Sequence, residues 1–234
     1  MTITQDIDSQ TVVAKDAAIE PGTGLRRRAT AFAAFGAAGI GLAGFLSCNW
    51  ENGAGETAYL QSLIDAPTQS MISMVLLHYG YLLFVPLAFV LARLARRGSP
   101  WLAGIGLVLS ILGSGLSGFL VTDAYDLSIA SHLPKDTAVK VSEGASGGAS
   151  VAMAMPTVFG AILGLVVLLA AMWRSSWLTP LPALIMLAGW VISFGAHSLV
   201  RGGSGYALVA VALVAVGVRI WQMTDREFAT GQRA

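Results

Sequence analysis

The sequence predicts an all-α fold, an integral membrane six-helix bundle with both termini in the cytoplasm, on three observations. Hydrophobic residues fill 55% of 234 positions and charged residues 12%, about half the ~25% of a soluble domain. The mean hydropathy is +0.70. Six apolar segments each approach the ~20 residues that a ~30 Å hydrocarbon core requires. The basic residues between them fall on one side.

The segments lie at roughly 29–48, 71–92, 101–122, 151–173, 178–199 and 204–223, each near the length of a membrane span. Lipid offers backbone groups no partner, so such segments must be helices. None shows the two-residue alternation of a strand. Residues 1–28 read as a disordered cytoplasmic tail, polar and without apolar periodicity, and 224–234 as a second one. Arg26, Arg27 and Arg28 border the first span, which reads as an uncleaved anchor.

With the N-terminus inside, eleven of the 14 Lys and Arg residues fall on the cytoplasmic side, from Lys15 and Arg26 through Arg93, Arg96, Arg97 and Arg174 to Arg233. Lys135, Lys140 and Arg201 fall outside. That bias sets the orientation and predicts a multi-pass protein of the cell membrane. Trp50, Trp101, Trp173, Trp177 and Trp221 stand at span ends, where amphipathic rings anchor.

Short cytoplasmic connections, 93–100 and 174–177, predict antiparallel hairpins. The outer connections 49–70 and 123–150 are long. They are expected to carry surface helices at Ala58 to Asp65 and at Asp126 to His132, the latter stopped by Pro134. Gly144 to Ser150 reads as a flexible linker. Span three bears Gly106, Ser110, Ser114 and Gly118 at four-residue spacing, and span four bears Gly160 and Gly164. Such stripes let helix backbones approach. Pro86 predicts a kink in span two.

A net charge of +1 offers no basic surface for a nucleic-acid partner. The single cysteine, Cys48, excludes an internal disulfide and multi-cysteine metal motifs. No metal site is expected.

Polar residues at depth in a membrane need a reason, and here they gather at the outer half. His78 lies about 12 Å inward from Ser70 at 1.5 Å per residue, with Tyr81 one turn on, on a similar face. Span three ends at Asp123, Tyr125 and Asp126, span one at Glu51, and span five at His197 with Arg201 one turn beyond. Carboxyl and imidazole groups at that depth would supply an acid and a base. Asp123, Asp126, His78, His197 and Glu51 are therefore the candidate catalytic residues, and Tyr81, Tyr125 and Arg201 the candidate substrate contacts. His78, Asp123 and His197 are expected to share one outer cavity, with His78 as its floor. No charged residue lies in the inner half of a span except near its end, so a lipophilic small molecule suits this side better than a coupled ion.

The stretch from Leu77-His78-Tyr79-Gly80-Tyr81 to Pro86, followed by Asp123-Ala124-Tyr125-Asp126-Leu127-Ser128-Ile129-Ala130, resembles a group of uncharacterised actinobacterial multi-pass membrane proteins over about residues 45–145. That likeness implies no activity. Asn49-Trp50-Glu51 is similar, in its Trp-Glu pair, to small membrane-bound terpene cyclases. Those enzymes protonate a prenyl chain or its epoxide with a carboxylic acid, and they carry one span more than this chain.

Three functions stay open. The chain is an enzyme acting on a lipophilic, isoprenoid-like molecule, a cyclase or lipid-modifying enzyme needing no cofactor. Alternatively it is a non-catalytic accessory protein or small transporter. A third reading is a b-type haem carrier with His78 and His197 as axial ligands. The lipid bilayer is the partner common to all three; the oligomeric state is not encoded in any motif.

Overall fold

A computed structural model describes residues 20–49, 55–145, 148–194 and 199–232. Among them are eleven helices and no strand. They are α1 (Thr23–Ser47), α2 (Glu56–Asp65), α3 (Pro67–Leu82), α4 (Phe84–Ala95), α5 (Pro100–Gly113), α6 (Leu116–His132), α7 (Lys135–Ala145), α8 (Gly148–Arg174), α9 (Leu181–Phe194), α10 (Leu199–Gln222) and α11 (Asp225–Thr230).

Five stretches are long and apolar enough to cross a membrane: Thr23–Ser47, Pro67–Ala95, Pro100–His132, Ala154–Arg174 and Gly203–Gln222. They mark a helical membrane protein. Where a sixth span is expected, α9 is apolar but only 14 residues long, and 195–198 lie outside the described residues.

Side-chain placement fits a lipid exterior. α1 turns Ala31, Ala34, Ala37, Gly41 and Gly44 inward and leaves Phe32 and Leu46 exposed. Phe89, Ile105, Val108, Phe159, Leu184, Val191 and Val211 are likewise exposed on their helices. So much outward apolar surface is foreign to a soluble monomer. Small residues inside let the helices close up where no difference between lipid and protein drives burial.

The helices form a ring. α1 packs on α3, α4 meets α5 and α8, α5 packs closely on α8, α8 touches α9, α9 packs on α10, and α10 returns to α1. An aromatic cluster fills the middle. Trp190 stacks on Phe194 at 5.5 Å and meets Tyr206 edge-on at 5.8 Å, while Tyr81 stands 6.4 Å away.

Two spans are broken. α3 ends at Leu82 and α4 begins at Phe84. Pro86 has no N–H for the Leu82 carbonyl, and its ring crowds that turn, so the expected kink lies one turn before the proline. Span three breaks between Gly113 and Leu116. There Gly115 N bonds Leu112 O at 3.1 Å and Gly118 N bonds Gly115 O at 2.8 Å, the tight i to i+3 pattern of a 3₁₀ turn. This break cuts the expected small-residue stripe. Gly106, Ser110 and Gly113 lie buried against Gly164, Leu168 and Gly160 of α8, but Gly118 has nothing near it.

Other boundaries differ from the sequence expectation for local reasons. α1 starts at Thr23, ahead of the arginines: Thr23 Oγ1 donates to Glu20 O at 2.7 Å, and Arg26 bridges back to the Glu20 carboxylate at 2.8 Å. The expected surface helix at 126–132 is the end of α6, continuous with span three. After it, Pro134 starts a helix as well as stopping one, since Thr137 N and Ala138 N both bond its carbonyl at 2.9 Å. The resulting α7 occupies 135–145, read from sequence as loop and linker. The C-terminal tail contains α11, begun by a capping box in which Thr224 and Glu227 bond each other's backbone N–H. Trp177 is 4% exposed beneath Arg219, so it is a core ring rather than an interface anchor. Trp101, by contrast, is 82% exposed.

The two ends of the bundle differ. At one end Arg27 Nε bonds Asp225 at 2.9 Å, Arg93 bonds Phe228 O at 2.8 Å, and Arg219 bonds Trp177 O at 3.1 Å. Arg96, Arg97 and Arg174 project from helix ends on this side. At the other end α2, α6 and α7 pack together as a cap.

Candidate functional site

The cap gathers carboxylates. Tyr59 of α2 donates its hydroxyl to Asp123 Oδ1 of α6 at 2.7 Å. One turn along α6, Asp126 accepts from Ser142 of α7 at 3.3 Å, and Ser142 also meets Glu56 of α2. Asp123 and Asp126 share a helix face at i, i+3. Glu56 and Tyr59 do the same on α2, so two short helical faces bring these groups to one place. Burial of Tyr59, reinforced by the neighbouring Asp123 carboxylate, pushes its phenol far above the usual tyrosine value, so it stays protonated and donates. The ion pairs Arg26–Glu20 and Arg27–Asp225 lie elsewhere, and neither involves Glu56, Asp123 or Asp126.

Asn49 ties the end of span one to this cap. Its Nδ2 donates to Ser62 O at 2.8 Å, and its Oδ1 accepts from Ser70 at 2.9 Å. A cavity of about 190 Å³ lies within the cap, walled by Leu60, Ile64, Ala130 and Ala138. Beside it Lys135 donates to Gln61 at 3.1 Å. Ligand pockets usually hold ~300 Å³ or more, so this cavity is small for an isoprenoid.

His78 belongs to a different interface. Its Nδ1 lies 2.9 Å from the Ser117 carbonyl oxygen, between α3 and α6. A carbonyl only accepts, so Nδ1 carries the proton and Nε2 is left as acceptor. No described hydrogen bond joins His78 to Asp123. The structure brings Asp123 and Asp126 together with Tyr59, and holds His78 elsewhere with a different partner.

Tyr81, expected on a similar face to His78, is instead 7% exposed and turned into the aromatic cluster. His78 and Tyr81 are neighbours on α3 at i, i+3, yet one ring meets α6 and the other the aromatic cluster at the bundle centre. Tyr125 is 67% exposed. Glu51 and His197 lie outside the described residues, as does the side chain of Arg201, and with His197 goes the second ligand of the haem reading.

Tyr59, Glu56 and Ser142 are site members that the sequence reading did not single out. A signal existed for Tyr59, since Ala58 to Asp65 is legible as a surface helix; Glu56 lies two residues before that expected helix, in the first turn of α2. Nothing in the sequence pairs Ser142 with Glu56, because α7 itself was not legible.

No family model, curated protein or solved structure matches this chain, so what it does must be argued from these residues.

Proposed function

We propose that the chain is a six-span membrane protein with both termini in the cytoplasm, and that its cap faces outward and performs acid-base chemistry on a lipophilic small molecule. Asp123 is the proton-handling group, and Tyr59 holds it in position. The orientation is supported by Arg26, Arg27 and Arg28 of α1, Arg93 of α4, Arg174 of α8 and Arg219 of α10, which belong on the inner side. Reporter fusions after Arg97 and after Arg226 should give cytoplasmic signals, and one after Lys140 an external signal. A cytoplasmic signal at Lys140 would overturn the orientation.

One observation carries the chemical reading: three carboxylates, Glu56, Asp123 and Asp126, meet hydroxyl groups and no described cation. A carboxylate held only to stabilise a fold is ordinarily matched by a positive charge or several backbone N–H groups. Carboxyl groups set beside one another without a cation are suited to hold and release a proton. The enclosed cavity is small, so the substrate approaches along α6 from the bilayer.

A second reading has its own support. Asp123 and Asp126 each accept a hydrogen bond, which would also serve a purely structural seal between α2, α6 and α7, as in a non-catalytic accessory protein. Asp123→Asn separates the two. The amide oxygen still accepts from Tyr59, so the seal survives, but the proton site is gone. The assay incubates purified protein in liposomes with a lipophilic cell extract and follows product formation by mass spectrometry. The catalytic reading expects conversion by the wild type, and an Asp123→Asn protein that melts normally and converts nothing. Equal conversion by both proteins, or none by the wild type, removes it.

A further inference from the structure

At the arginine-bearing end a groove of about 550 Å³ opens between α4 and α5. Its walls are almost wholly apolar: Phe89 and Ala92 on α4, and Gly104, Leu107 and Val108 on α5. Phe89 and Val108 are 51% and 58% exposed. A Cβ placed on Gly104 would meet nothing within 4 Å, so the groove is open along its floor.

One end is chemically different. Arg93 and Arg96 lie there with Pro100 and Trp101. Arg93 is fixed by its bond to Phe228 O at 2.8 Å and by stacking over the Phe228 ring at 4.7 Å. Arg96 has no hydrogen-bond or ion-pair partner among the described residues. The first turn of α5 faces the same end, and its N-cap residue, Ser99, supplies no side-chain cap. Pro100 has no N–H and Ala103 N bonds Ser99 O at 3.0 Å, so that turn offers the Trp101 and Leu102 N–H groups and the positive end of a helix dipole. No acidic side chain lines the groove.

We propose that this groove binds one anionic phospholipid of the inner leaflet. Its phosphate sits at Arg96 and the first turn of α5, with Arg93 behind, and one acyl chain runs along Phe89, Gly104 and Val108. The dimensions agree. From Arg96 to Phe89 the groove runs about 10 Å at 1.5 Å per residue, some two-thirds of one leaflet of a ~30 Å hydrocarbon core. Arg beside free helix N–H groups matches a phosphodiester, and basic pockets between spans on the cytoplasmic side are where anionic head groups are held. Trp101, 82% exposed, stands at the depth where a head group meets the acyl chains. This inference rests on the membrane orientation proposed above, but not on the chemistry at Asp123.

The test titrates the full-length protein in detergent with palmitoyl-oleoyl phosphatidylglycerol or with phosphatidylcholine of the same chains, and counts retained lipids by native mass spectrometry. The wild type should hold one phosphatidylglycerol about tenfold more tightly than phosphatidylcholine, because the two share a phosphate but the choline ammonium is set against Arg93 and Arg96. Arg96→Gln should erase that preference. Gly104→Phe, whose Cβ would meet nothing within 4 Å, should fill the floor and weaken both lipids. Arg174→Gln, which removes a cation from the same end but outside the groove, should leave the preference intact. The proposal is overturned if the wild type does not distinguish the two lipids, if Gly104→Phe that melts normally retains phosphatidylglycerol as well as the wild type, or if Arg174→Gln lowers the preference as much as Arg96→Gln. Conversion of a lipophilic substrate should be the same in Arg96→Gln and wild type, so the two proposals fail separately.

Discussion

Gly160→Ala should separate α5 from α8 and cost the protein much of its stability. A methyl group at 160 would stand 2.6 Å from the Leu109 carbonyl oxygen and 2.7 Å from Gly113 N. Both are backbone atoms of the facing helix, so no rotamer change relieves the overlap. The helices must part by roughly the difference from ordinary contact, which is about 3.5 Å between non-bonded heavy atoms. Parting there also unseats the neighbouring contacts, where Gly106 meets Leu168 and Gly164 meets Ser110. Over-packing costs about 1–3 kcal/mol, and a rigid backbone overlap belongs at or above the upper end. Three kcal/mol would lower the melting temperature by roughly 6–12 °C in a chain of this size. Gly118→Ala is the matched control. Nothing lies within 4 Å of a Cβ at that position, and alanine is up to about 1 kcal/mol the better helix former, so its melting temperature should stay or rise. Equal melting of the two variants in detergent would show that the α5–α8 crossing is looser than described.

Trp190→Ala should be of similar size, for a different reason. Trp190 is fully buried and touches Tyr81, Phe84, Phe194 and Tyr206. In water such a truncation loses transfer free energy as well as packing. In a bilayer the lipid tails are as apolar as the core, so the transfer contribution largely drops out and the cavity contribution remains. At about 24 cal/mol per Å³ over roughly 140 Å³ of lost side chain, that contribution is about 3 kcal/mol. The Trp190 Nε1 has no hydrogen-bond partner among the described residues, and leaving such a group unpaired costs about 1–3 kcal/mol. Trp190→Phe removes that unpaired donor while keeping an aromatic ring, so it should lose far less than Trp190→Ala. A larger loss for phenylalanine would mean that the indole N–H is satisfied in the membrane and matters.

The spans were legible because their signal is one-dimensional. Twenty apolar residues in a row declare a membrane helix whatever their neighbours do. Pro86 announced a kink because its effect acts one turn back along its own chain. α11 was legible too, through Thr224 and Glu227, whose spacing is that of a capping box, although the reading took the segment as tail.

What the sequence by itself determined is therefore the class of protein, its apolar segments, and the residues polar enough to need a reason. Only the tertiary structure decided which of them meet. Asp123 could face any of several elements, and it is Tyr59, 64 residues away, that reaches it. His78 goes to Ser117, and Tyr81, three residues on, goes to the aromatic centre. The small-residue stripe of span three is continuous in sequence, yet the turn at Ser114 and Gly115 rotates Gly118 out of the crossing. For Gly118 and Asp123 the reason is the break before them, and for His78 and Tyr81, which share α3 without a break, it is which neighbouring helix each ring meets. Period and composition specify the face of a helix, but a break of one or two residues turns everything beyond it by a large angle. Where that turned face comes to rest depends on backbones far away in the chain.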